Sequence, residues 1–347
     1  MKQIYSPHPT ETVSVYVESS PIWEVILGIS GYTHQQLRHT FDLDDEWTLQ
    51  KNTMSPTLLA HLQTITDTNF WYGLIMVQNK ITAACIQDFS NALRNMSDES
   101  LYESLLPYKD RACEPIRQRI YSPHLNKKLL EEYAIYFEDH EYLSSYIHCL
   151  ASYPAEEIRT LFIEVVEEWY QWVSRQKEWK KWSQALAFQQ KQHSELNATD
   201  PTKEIERITD GMVYVPEPSV WTIKLIPHIS YRPWILHQRT NDTKLIFYPI
   251  DEQYLMEPGI PSNELIRGHK ALGDELRLKI LYQLMKGSQS LQELSIQFNI
   301  SKTTLHHQLS LLKAAKFISA DKGIYSVRHS HIDDFSERLT QYLGTIK

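Results

Sequence analysis

The sequence predicts a mainly α-helical chain with a small β part: a helical N-terminal region, a β-rich segment, and a C-terminal module of short helices closed by a β-hairpin. Three observations predict it. Apolar residues recur at helical spacing through most of residues 13 to about 200. From Thr209 the texture changes to β-branched and aromatic runs punctuated by prolines. After residue 265, capping residues and glycine stops delimit a series of short helices.

In the N-terminal region helical spacing is clearest at 22–27, 58–65, 125–150 and above all 155–196. The last of these is read as one long helix, and Pro154 before it suits a first helical turn. Strands are expected at 213–215, 220–226, 234–237 and 244–248, among Pro216, Pro218, Pro227, Pro233 and Pro249, with Thr240-Asn-Asp-Thr243 as a hairpin turn. Pro258-Gly-Ile-Pro-Ser262 is the best linker. The expected domains are therefore 1–260, helical to about 200 and β-rich over about 210–250, and 265–347. Neither an internal repeat nor a low-complexity tract is evident.

The C-terminal module is sharper. Residues 265–272 read as a helix ended by Gly273; Asp274 caps the next, whose Leu276, Ile280, Leu281 and Leu284 share a face before Gly287. Ser290 with Glu293 spells a capping box for a third helix through Phe298. Ser301 caps a fourth, reaching about Ala315.

Composition narrows the function. At 347 residues, 42% hydrophobic and 22% charged, the chain suits a globular protein of two or three domains. It has no run of 18 apolar residues for a membrane span, and MKQIYSPHPTETVSVYV lacks a signal's apolar core. Cys85, Cys113 and Cys149 are dispersed and odd in number, as reduced thiols of a cytoplasmic protein would be. With 10 glycines, no phosphate loop, no Gly-x-Ser-x-Gly and no His-Glu-x-x-His, the sequence offers no catalytic constellation. An enzyme is not expected, nor a cofactor. The net charge of −8 is uneven: residues 265–347 carry 12 Lys+Arg against 7 Asp+Glu, and the remainder 23 against 36. A basic module on an acidic body points toward nucleic acid.

In the fourth helix Leu305, Leu309 and Leu312 fall at i, i+4 and i+7 and should face the module's core. Thr303, His306, His307, Ser310 and Ala314 then cluster opposite, flanked by Lys302 and Lys313. Polar, short-chained and free of acids, that face suits entry into a DNA major groove. The tight Asn299-Ile300 connection gives a helix-turn-helix, and 317–328 reads as a hairpin wing offering Lys322 and Arg328 to phosphates.

With these motifs, His269-Lys-Ala-Leu-Gly-Asp-Glu-Leu-Arg-Leu-Lys-Ile-Leu resembles the winged helix-turn-helix of bacterial ArsR-type regulators over about 265–330. The resemblance implies a dimeric DNA-binding repressor or activator, with recognition roles on Lys302, Thr303, His306, His307 and Ser310. Gln308 stands where a His is common in that family's helix, and Lys316 where Gly is usual. Residues 1–260 resemble more loosely the long N-terminal domain of some ArsR-type regulators, through Ser20-Pro-Ile-Trp-Glu24. That domain is read as signal-receiving or dimerising. The cysteines with which many ArsR-type proteins sense metals are absent from 291–298.

Two groups remain open to a second reading. His329-Ser-His331 with Asp333, Asp334 and Glu337 supplies metal-ligand types, although polar residues at a helix start are the favoured reading; Glu138-Asp-His-Glu141 reads as a solvated face. Trp169, Trp172, Trp179 and Trp182, with Tyr170 and Phe188, would line a pocket for a planar ligand or, as the favoured reading, pack as core. Finally, Ile332, Phe335, Leu339, Tyr342, Leu343 and Ile346 form one apolar stripe that the small module should leave uncovered, so a second copy is expected to cover it, the alternative being the chain's own N-terminal domain. The expected partners are double-stranded DNA, a second copy of the chain and an unidentified small-molecule effector, with no membrane. The alternative is a small-molecule-binding protein or enzyme whose winged helix mediates protein contacts.

Overall fold

The computed structural model describes residues 13–34, 37–122, 124–193, 196, 200–250 and 261–329, together with 331, 332, 335, 339 and 342. Contacts divide the chain into two units, Met1–Ile250 and Asp251–Lys347. Among the described residues no helix is long and apolar enough to cross a membrane.

The first unit opens with a strand, β1 (Ser14–Val17), and the helix α1 (Pro21–Thr33). There follow α2 (Asp44–Gln50), α3 (Pro56–Thr68), α4 (Trp71–Ile81), α5 (Ile86–Asn95), α6 (Asp98–Leu105), α7 (Glu114–Tyr121) and α8 (Lys127–Ala134). Next come α9 (Leu143–Ser152), α10 (Ala155–Val173), α11 (Trp179–Gln192) and α12 (Pro201–Ile208). The chain then returns to the sheet through β2 (Thr222–His228), β3 (Leu236–Arg239) and β4 (Thr243–Pro249). Strand order is β1-β2-β4-β3; β1, β2 and β4 run parallel, and β3 is antiparallel to β4.

Helix α1 is buried along nearly its whole length because it packs between the sheet on one side and α3, α4 and α10 on the other. At Gly28 a Cβ would lie within 3.0 Å of three atoms of the Trp169 indole, so only glycine lets α1 approach α10 this closely. Glu24 is buried on the same helix and accepts from Ile229 N (3.0 Å), Ser230 N (2.9 Å) and Ser230 Oγ (2.6 Å). Burial pushes its carboxyl up to about 7, against the opposing pull of those donors and of Arg232. It fastens α1 to the turn after β2.

Three sequence expectations change here. The long helix 155–196 is two helices, broken at 174–178, where Ser-Arg-Gln-Lys-Glu offers no apolar residue to continue the buried stripe. The stretch Val213–Val215 is not a strand: Val213 and Val215 are exposed, and Tyr214 between them is buried against β2 and β4. The strand β1 falls inside the region read as helix. The tryptophans follow the core reading: Trp169, Trp172 and Trp182 are buried and Trp169 tilts against Trp172 with ring centroids 4.9 Å apart, whereas Phe188 is exposed. Residues 138–141 are exposed.

The second unit contains α13 (Asn263–Leu272), α14 (Glu275–Leu284), β5 (Gln289–Ser290), α15 (Leu291–Phe298), α16 (Lys302–Ala314), β6 (Ile318–Asp321) and β7 (Ile324–Val327). The caps are those the sequence spells. Asp274 Oδ1 accepts from Arg277 N and Ser301 Oγ from Thr304 N, and Ser290 with Glu293 closes a reciprocal capping box; Ser262, read only as linker, adds one more, its Oγ accepting from Leu265 N. Strand order β5-β7-β6 adds a third, two-residue strand to the hairpin. Ile280, Leu294, Leu305, Leu309, Leu312 and Phe317 are wholly buried at its centre.

Phe335 belongs to that core. It is 7% exposed, packs edge-on to Phe317 at 5.2 Å and sits over Gly268, whose missing side chain forms its socket. The expectation that the module leaves this stripe uncovered is thus corrected at Phe335. Ile332, Leu339 and Tyr342 are half-buried against the same cluster. Leu343 and Ile346 lie outside the described residues, as do 258–260 of the expected linker.

Candidate nucleic-acid interface

The turn between α15 and α16 is set by its residues. Asn299 takes the left-handed conformation (φ 53°) that Asn tolerates better than most side chains, and Ser295 Oγ donates to Ile300 O at 2.7 Å. Ser301 then caps α16, and no acid occupies the helix's first turn, so its positive end is left for an anion.

Leu305, Leu309 and Leu312 are all fully buried and mark the side of α16 that faces the core. Lys302, Thr303, His306, His307 and Lys313 are exposed and Ser310 is half-buried. The structure therefore brings Thr303, His306, His307 and Ser310 onto one accessible side. Ala314, expected with them, is buried at 2%. A helical wheel has no knowledge of neighbours, and here α13 crosses the end of α16, with Arg267 Nη1 donating to Ala314 O at 3.3 Å. Burial lowers Arg267 to about 10.

Strands β6 and β7 pair from Ile318↔Val327 to Asp321↔Ile324, with Ser319 and Ser326 hydroxyls 3.0 Å apart across the hairpin. The turn uses Lys322 (φ 47°) and Gly323 (φ 79°), which projects an exposed Lys322 from the tip. Arg328 follows β7 half-buried, its backbone N donating to Phe317 O at 2.9 Å.

The two histidines read as metal-ligand types separate. His329 is exposed, whereas His331 is 6% exposed with Nε2 3.5 Å from Glu264 Oε1 on α13; Asp333, Asp334 and Glu337 lie outside the described residues. Among the described residues no three His, Cys, Asp or Glu side chains gather as a metal site. In the first unit a polar cavity of about 300 Å³ opens between the ends of α4 and α6, Arg117 of α7 and the β3–β4 turn. Asn79, Glu103, Tyr108 and Asp242 line it, and no local motif had pointed to it. The sequence reading also left Gln308 without a role; the fold gives it a partner, Arg277.

The family model described as bacterial regulatory protein, arsR family, matches residues 274–320. That span runs from the cap of α14 through α15 and α16 into β6. No curated protein matches the chain.

Proposed function

We infer that a chain whose C-terminal unit carries an ArsR-type winged helix-turn-helix regulates transcription by binding double-stranded DNA through α16. The observation that carries this reading is the exposed face of Thr303, His306 and His307, held outward by three wholly buried leucines on a helix without an acid. Those side chains, with Ser310, meet base edges; Lys302, Lys313, Lys322 and Arg328 meet phosphates. The regulator's domain speaks for a non-enzymatic role.

The finer reading is a homodimer on an inverted-repeat operator. The half-buried Ile332, Leu339 and Tyr342 support it, since a second copy would cover what their own unit leaves exposed. Leu343, read with them in the sequence, lies outside the described residues, and Phe335 belongs to the unit's own core. A two-fold axis sets recognition helices ~34 Å apart, one DNA turn. The N-terminal unit acts as the signal receiver, supported by its polar cavity.

The test is gel retardation of the full chain at stated salt, comparing duplexes it enriches from a random pool with scrambled ones. Tighter binding of the enriched duplex by ~10³-fold or more is expected. Failure to retard either duplex even at low salt overturns the reading. Light scattering of the complex, expected to contain two chains, tests the dimer separately.

A further inference from the structure

We propose that Arg277 is a positioning residue for DNA reading, setting the rotation of α16 about its own axis through the carboxamide of Gln308. This rests on the reading of α16 as the recognition helix. The Arg277 side chain is 13% exposed, and from α14 its guanidinium bonds to two other helices, α13 and α16. Nε donates to Ala271 O at 2.7 Å and Nη2 to Lys270 O at 2.8 Å, the last carbonyls of α13. Those acceptors have no partner within their helix, and a cation at that negative end is favoured. The backbone of Arg277 is fixed in turn at the start of α14, its N donating to Asp274 Oδ1 at 3.0 Å. From this doubly anchored base, Nη1 donates to Gln308 Oε1 at 2.9 Å.

Gln308 lies midway along α16, beside Leu309 and between the core stripe and His307. Its place matters because of what the leucines cannot do. Leu305, Leu309 and Leu312 hold α16 against the core by contacts that tolerate small rolling movements, since dispersion is non-directional. A hydrogen bond to a fixed guanidinium is directional. With side-chain tips ~6 Å from the helix axis, a roll of ~10° displaces them by ~1 Å, more than the width of a good hydrogen-bond window. The tether therefore acts where base reading is most sensitive: on the angle at which Thr303 and His307 are presented. Arg267, bonded to Ala314 O, holds the far end and leaves the middle to Arg277.

The experiment uses the full chain with Gln308→Leu, which removes the acceptor, and Gln308→Glu, which keeps it. Arg277→Lys, alone and with Gln308→Leu, tests the pair from the other side. Affinities are measured for the enriched duplex and a scrambled duplex of the same composition. Gln308→Leu is expected to lower the selectivity ratio about tenfold or more, as loss of one good base contact would. Scrambled-duplex affinity, set by phosphates, should stay within about twofold. Gln308→Glu should retain the ratio while weakening both duplexes together through its added charge. Arg277→Lys should lose the ratio as Gln308→Leu does, with no further loss in the double variant. An unchanged ratio in Gln308→Leu overturns the proposal. So does a Gln308→Glu variant that loses the ratio equally, because the amide itself would then be the DNA contact. A wild-type chain that fails to distinguish the duplexes removes the recognition-helix reading instead. The tether is then judged without DNA, from residual dipolar couplings of backbone amides. In Gln308→Leu those of α16 should rotate relative to α14, and unchanged couplings overturn it.

Discussion

Gly268→Ala is the most direct probe of how the C-terminal residues seat on the winged-helix unit. A methyl group at this position would come within 3.0 Å of three carbons of the Phe335 ring, Cε2, Cζ and Cδ2. No rotamer of alanine relieves that, so the ring must leave its socket. Phe335 is 7% exposed, and burying such a side chain is worth about 2–3 kcal/mol. Its edge-on contact with Phe317 adds about 1 kcal/mol. Against this, alanine in the interior of α13 is favoured over glycine by about 1 kcal/mol. The net loss is about 2 kcal/mol, or on the order of 10 °C in Tm for a unit of this size. Scanning calorimetry of the full chain, with hydrogen exchange assigning the transition to α13 and α16, measures it. In a Phe335→Ala background the clash is gone, and Gly268→Ala should become stabilising by about 1 kcal/mol. A Gly268→Ala protein as stable as the parent, or a double variant showing no such reversal, would refute the socket.

Thr303→Ala and His307→Ala should each weaken the enriched duplex by ~1–3 kcal/mol while sparing the scrambled one. Lys322→Ala should weaken both alike and reduce the salt slope by about 1. Glu24→Gln tests the buried carboxyl of α1. Because burial raises its folded-state pKa to about 7 from 4.5, the proton is held more tightly in the fold. Its contribution to stability is therefore full below pH 4.5 and is lost as pH rises through 7, by about 3 kcal/mol in all. Urea unfolding from pH 5 to 8 should show that decline in the parent and lack it in Glu24→Gln, which is less stable throughout because an amide NH₂ then faces a backbone N–H. Lys316→Gly should raise stability by about 1 kcal/mol, since Lys316 ends α16 at φ 60°, where a side chain is strained; chemical denaturation measures it.

Local chemistry made the second unit readable. Asp274, Ser290 with Glu293, and Ser301 mark helix starts through bonds that span three residues, and the leucine stripe of α16 needs only a helical period. What escaped depends on distant partners. The alternation Val13-Ser-Val-Tyr-Val17 does not announce that its hydrogen-bonding neighbour is Thr222–Leu225. Val213–Val215 has strand composition and no strand to pair with. Ala314 fits the exposed face on a wheel and is buried only because α13 lies across it. Gln308 drew notice as a departure from a family pattern, yet its role depends on Arg277, 31 residues earlier.

The pairing of Ser14 with Thr222 has a bearing on how the protein is made. About 200 residues separate the partners, and at ~5–20 residues per second a ribosome needs ~10–40 s to deliver the second after the first. Throughout that interval the side of α1 that will meet β2 has no sheet to pack on, whereas α3, α4 and α10, all made before β2, are there to cover its other side. The burial of α1 is completed only once β2, the strand it packs against, has been made.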